Sequence, residues 1–184
     1  MSPAIALAAV VAVTSLPLIP VNIIDGSDER GALTEVGPSL GLSAAEIARI
    51  RTVSGHVVCA QPEPVTASGA LYLTGDQVLT AGHVFFQPSG EPRSQCFFRQ
   101  QKNGSDWLPL VTAGARFGAT PPKPGSNNDW AIVRLAAPIS GAEPFPVPPT
   151  PPSAGDALVV VSAQPAGFEH LDPNVPVAQG CTVR

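Results

Sequence analysis

Two short segments hold the residues best suited to chemistry. The first is Val78-Leu-Thr-Ala-Gly-His83-Val-Phe85. A hydrophobic strand ends at Thr80, and the small Ala81 and Gly82 let the backbone turn tightly and leave the His83 imidazole facing a cleft. The second is Asn128-Asp129-Trp-Ala-Ile-Val-Arg-Leu135, where an acid opens a short apolar strand and its carboxylate sits at the strand's edge, close to the core. A hydroxyl nucleophile is weak near neutral pH and needs a base beside it, usually His. That His needs a carboxylate to fix its tautomer and to stabilise the imidazolium. His83 and Asp129 supply one of each, 46 residues apart. The plain alternative for such a pair is a surface ion pair or a satisfied core group.

The elements that must position the pair read as short strands with frequent turns. Val57-Val58-Cys59 is one, Gly69 to Gly75 another, and Gln77 to Thr80 a third after a turn at Gly75-Asp76. Cys96 to Gln100, Trp107 to Phe117 and Ala131 to Leu135 continue the pattern. Strands of this length suit a small antiparallel barrel or sandwich. Ahead of them, residues 21 to 42 read as an irregular leader rich in glycine. Ser43-Ala-Ala-Glu46 then has capping-box spacing, and Ile47, Arg49, Ile50 and Arg51 suit a helix of about ten residues. Residues 144 to 152 hold six prolines in nine positions, a stiff extended connector that cannot join a sheet interior. After it come a strand from Ala157 to Ser162 and the start of another from Gln179 to Arg184. Two strands do not build a stable lobe, so a second lobe reads as unfinished.

Composition narrows the classes. The 184 residues include 22 prolines and 17 glycines, about a fifth of the chain, which works against a helical bundle. Charged residues are 13%, too few for a solvated disordered tail, and the net charge of −4 gives no electrostatic reason to expect a nucleic acid partner. No apolar run reaches the roughly 18 to 20 residues of a stable membrane span. The run from Ala4 to Val13 has the length of a signal-peptide core, although no Lys or Arg precedes it; a buried strand or helix is the alternative. Export, to a secreted or periplasmic location, is the expectation. The cysteines are Cys59, Cys96 and Cys181, with no C-x-x-C pair. In an exported chain Cys59 can pair with Cys96, leaving Cys181 over. No cofactor or metal is called for. His56, beside a strand, and His170, in a polar loop, make no metal-ligand spacing with His83.

The two segments together resemble the trypsin-like (chymotrypsin-fold) serine peptidase family. Leu79-Thr-Ala-Gly-His83 is similar to its histidine motif, in the form common among bacterial and glutamyl-endopeptidase-like members. Asp129-Trp-Ala-Ile-Val-Arg-Leu135 is similar to its aspartate motif, and the order and spacing agree with the roughly 45 residues of the chymotrypsin-type triad. The resemblance spans about residues 54 to 184. It implies an all-β fold, a trypsin-like double β-barrel with the first barrel complete and the second truncated. The division it implies is 1–20, signal peptide; 21–53, leader with a short helix; 54–143, first barrel; 144–156, Pro-rich linker; 157–184, start of the second barrel. His83 is then the general base and Asp129 its orienting acid, acting on a polypeptide substrate.

Three departures bear on activity. The family's nucleophile stands in Gly-Asp-Ser-Gly or a close variant after the other two members. Nothing after Asp129 resembles it, and Ser140, Ser153 and Ser162 lack the paired flanking glycines that let backbone N–H groups converge on an oxyanion. The nucleophile Ser is therefore not present in the chain, and a chain without it is expected to be inactive alone. Val84 occupies the place of the family's common cysteine beside the histidine. Ile23-Ile24-Asp25-Gly26 is similar to the mature N-terminus of zymogen-activated members, with a plain leader as the alternative. A serine endopeptidase is thus the leading expectation. A non-catalytic protease-like binding module and the product of a degraded gene are the others.

Overall fold

The computed structural model describes residues 29–101, 106–163, 172 and 174–183. The signal-peptide segment, Ile23 to Gly26 and His170 lie outside these residues.

Six strands close into an antiparallel barrel. They are β2 (Ser54–Gln61), β3 (Val65–Leu71), β4 (Gln77–Thr80), β5 (Ser94–Gln100), β6 (Trp107–Phe117) and β7 (Ala131–Leu135), in the order β2-β3-β4-β7-β6-β5 with β5 returning to β2. Alternation decides which side chains enter the barrel. Val57 and Cys59 point inward from β2, Val78 from β4, Phe98 from β5, and Ala131, Val133 and Leu135 from β7. Cys59 and Cys96 are direct partners across β2 and β5, with Cα atoms 4.0 Å apart, and form a disulfide. Val84, beside His83, is wholly buried in this core.

A second sheet has the order β1-β9-β8, with β1 (Gly31–Ala32), β8 (Ala157–Ser162) and β9 (Val177–Thr182). Here the structure differs from the reading of an irregular leader over residues 31 to 42, while 21 to 28 lie outside the described residues. From Gly31 onward the segment is packed: Ala32 pairs with Val177, and the Leu33 N–H donates to the Pro176 carbonyl at 2.8 Å. A short helix α1 (Leu33–Val36) follows, and Leu33 and Leu42 join Ile50, Val159 and Ala178 in a second core. The second sheet thus has three described strands, not two. A two-residue Gly-Ala strand carries no alternation for a sequence reading to detect.

Helix α2 (Ala44–Val53) begins as its capping box predicts. The Glu46 N–H donates to Ser43 Oγ at 3.2 Å, and the Ser43 N–H donates to Glu46 Oε2 at 2.7 Å. The hydrogen bond from the Ser43 side chain, with that from its backbone, holds the Glu46 carboxyl below its ordinary pKa. The helix is amphipathic in a divided way: Ile50 enters the second core and Val53 the barrel core. Its Arg49 grips the connector, donating from Nε to the Glu143 carbonyl (2.9 Å) and from Nη2 to the Pro144 carbonyl (2.7 Å). The same guanidinium lies 4.3 Å from the centre of the Phe145 ring.

Several strand boundaries move. β2 extends on both sides of Val57 to Cys59, and β3 runs from Val65 to Leu71, not from Gly69 to Gly75. β5 starts at Ser94, not Cys96, and the last strand is Val177–Thr182, not 179 to 184. β6 keeps its predicted ends but pairs with β7 in two registers, Val111 with Arg134 and Arg116 with Ile132, so the intervening residues bulge out.

Candidate active site

β4 ends at Thr80, whose hydroxyl donates to the Ser68 carbonyl at 2.8 Å and ties it to β3. Past Ala81 the chain enters a single 3-10 turn, Gly82–Phe85, which carries His83. Gly82 is required by close approach. A Cβ there would stand 2.7 Å from Pro122 Cγ and 2.9 Å from the Trp130 carbonyl oxygen. Gly118 is required in the same way, since its Cβ would lie 2.5 Å from the Asn128 carbonyl oxygen and from Trp130 Nε1. The Gly118 N–H donates to the Trp130 carbonyl at 3.0 Å, while Phe117 stacks edge-on against Phe85 and Phe86, centroids 5.7 and 5.2 Å away. The end of β6 therefore fastens the histidine turn to the residue that follows Asp129.

The two carboxylate oxygens of Asp129 meet His83 at two places. The His83 N–H donates to Oδ1 at 2.8 Å, and ring Nδ1 lies 2.7 Å from Oδ2. The Gly125 N–H also donates to Oδ2, at 3.0 Å, and the Asp129 N–H donates to the Ser126 carbonyl at 3.0 Å. The Asp129 side chain is 7% exposed and that of His83 35%. Burial by itself pushes the Asp129 carboxyl up. The hydrogen bonds from the His83 ring and amide and from the Gly125 amide, with the attraction of the imidazole, outweigh burial and hold it below the ordinary aspartate range. A carboxylate with two backbone donors is held in place independently of the imidazole, and a carboxylate oxygen accepting a hydrogen bond from Nδ1–H selects the tautomer in which Nε2 is the basic nitrogen.

Gly125 and Ser126 were not singled out by sequence reasoning. Gly125-Ser-Asn-Asn128 is a run of turn formers directly before an acid, a signal that backbone amides fold back onto the following carboxylate. Among the described residues no hydroxyl hydrogen-bonds to the His83 ring. Ser140 and Ser153 are exposed, Ser153 giving its N–H to Asp156, and Ser162 ends β8. His56 lies on β2, opposite Ser68 and Arg99. No group of three or more His, Cys, Asp or Glu among the described residues is placed to hold a metal ion. No helix among them is long and apolar enough to cross a membrane.

No family model matches this chain. No curated protein matches it either. Among solved structures it is similar to that of a Glu endopeptidase in complex with MPD, with a TM-score of 0.61, 11% identity, and coverage of 88% of this chain and 72% of that one. At that identity the likeness shows the fold, the trypsin-like β-barrel fold.

Proposed function

We propose that this chain is a serine-endopeptidase-like protein whose His83 and Asp129 are the base and orienting acid of a His/Asp/Ser triad. The observation that carries the reading is the two-point contact of the Asp129 carboxylate with the His83 ring and amide. A surface ion pair needs no such fixing, whereas a base that must present Nε2 in one tautomer and orientation does. In the reaction, Nε2 takes the proton of a hydroxyl as its oxygen attacks the scissile carbonyl, then gives it to the leaving amine, with Asp129 stabilising the imidazolium between the two steps. Polypeptide is the substrate class, and export to an oxidising compartment accords with the Cys59–Cys96 bridge. The attacking serine is not among Ser140, Ser153 and Ser162, and the 184 residues alone hydrolyse no peptide.

An activated ester tests the dyad without that serine. The purified chain should cleave p-nitrophenyl acetate through His83 faster than free imidazole does, and Asp129→Asn should lower the rate about tenfold or more. A fluorophosphonate probe should leave the chain unlabelled. Ester cleavage indifferent to His83→Ala would sink the dyad assignment and favour a non-catalytic binding module; stoichiometric probe labelling would instead show that the chain holds its own nucleophile.

A further inference from the structure

The two members of the dyad are held by different parts of the chain. Asp129 takes a hydrogen bond from the turn before it, through the Gly125 amide. His83 sits on a single 3-10 turn, Gly82–Phe85, and such turns have poor hydrogen-bond geometry of their own. The Phe86 N–H donates to the His83 carbonyl at 3.1 Å, so whatever holds Phe86 holds the exit of that turn.

Arg93 is placed to do this. After Phe86 the chain folds back, pairing Phe86 with Pro92, and the Gln87 N–H donates to the Glu91 carbonyl at 2.8 Å. Arg93 follows directly and meets the histidine turn with two donors. Its backbone N–H donates to the Phe85 carbonyl at 2.7 Å, and its Nε donates to the Phe86 carbonyl at 3.1 Å. A third donor, Nη1, reaches the Glu63 carbonyl at 2.7 Å, in the link between β2 and β3. All three acceptors are main-chain carbonyls, so the half-buried side chain fastens backbone to backbone. A guanidinium suits this task, because its donors lie fixed in one plane and hold two separate segments at once, whereas an ammonium on a flexible stem is a single point. The charge on the donor strengthens both side-chain bonds.

We propose that Arg93 is a positioning residue for His83: by tying the end of the histidine turn to the link between β2 and β3, it keeps ring Nδ1 in register with Asp129 Oδ2, 2.7 Å away. The proposal rests on the reading of His83 as a base and adds to it the residue that aims the ring.

The test compares Arg93→Ala and Arg93→Lys with the wild-type full chain, and uses Arg49→Ala, whose clamp lies on the connector, as the control. Heteronuclear NMR of the neutral His83 ring reads which nitrogen carries the proton. In the wild type a low-field Nδ1–H resonance is expected. Arg93→Ala should broaden or remove it, move the ring toward the Nε2–H tautomer, and lower His83-dependent cleavage of p-nitrophenyl acetate about five- to tenfold. Arg93→Lys, able to hold one carbonyl of the two, should fall between, at a loss of roughly twofold or more. Arg49→Ala should change neither readout. A folded Arg93→Ala chain that keeps the wild-type resonance and rate would overturn the proposal, even if it unfolds earlier in urea, because that is the result of a purely structural role. Should Arg93→Ala not fold, Arg93→Lys decides, and wild-type behaviour in both readouts would overturn the proposal equally. Ester cleavage indifferent to His83→Ala would be a failure of the base assignment instead, and the ring resonance would still show whether Arg93 holds the histidine.

Discussion

The Asp129 carboxylate collects hydrogen bonds from the His83 ring, the His83 amide and the Gly125 amide while almost shut off from water. Its depressed pKa fixes a sign. Its contribution to stability is fully present above the unfolded aspartate value of about 3.9 and is lost as pH falls through the lower folded value. Asp129→Asn should therefore cost about 1 to 3 kcal/mol at pH 7, and the gap to the wild type should narrow below about pH 4. Urea unfolding at pH 7 and pH 3 measures it, and an unchanged gap at pH 3 would contradict the sign. Gly82→Ala tests the tight packing behind the histidine turn. The new methyl has Pro122 and the Trp130 carbonyl in its way, so the turn must shift, at about 1 to 3 kcal/mol. The pair itself was legible in the sequence, because a histidine after Ala-Gly and an acid opening an apolar strand are local patterns. The amides that hold the acid were not, because a backbone N–H has no letter of its own.

At the scale of elements, legibility follows the density of alternating apolar residues. β4, β7 and β8 lie where Gln77 to Thr80, Ala131 to Leu135 and Ala157 to Ser162 place them. The split register of β6 was hidden, since Val111 to Arg116 reads as continuous strand and only the partner strand reveals the surplus residues. The disulfide joins two strands that hydrogen-bond across the barrel closure, 37 residues apart. Reducing it should lower stability by about 3 to 4 kcal/mol in the chain-entropy account. Equilibrium unfolding with and without reductant checks this, Cys59→Ala/Cys96→Ala serving as the control for thiol effects. Arg49 joins elements that no sequence pattern links. Arg49→Ala should speed amide exchange around residues 143–149 while leaving β2 to β7 unchanged, as exchange followed by mass spectrometry would register; equal acceleration throughout the barrel would count against a local clamp.

Over the whole molecule, α2 is the hinge between two cores, with Ile50 in one and Val53 in the other. Ile50→Ala should cost about 2 to 4 kcal/mol, and exchange in β8 and β9 should rise more than in the barrel; a uniform rise would mean that the two cores open as one. The two-residue strand β1 is the feature with the widest reach. Barrel strands find all their partners between Ser54 and Leu135, whereas Ala32 pairs with Val177. At 5 to 20 residues per second, a ribosome takes roughly 7 to 30 s to make the chain between those two residues. The barrel has all its strands well before then, while Ala32, Leu33 and the apolar side of α2 have left the exit tunnel with no sheet to cover them. The segment from Gly31 to Leu42 is made before the barrel yet finds its sheet partner after it, so a holding chaperone on a nascent chain meets this segment rather than the barrel.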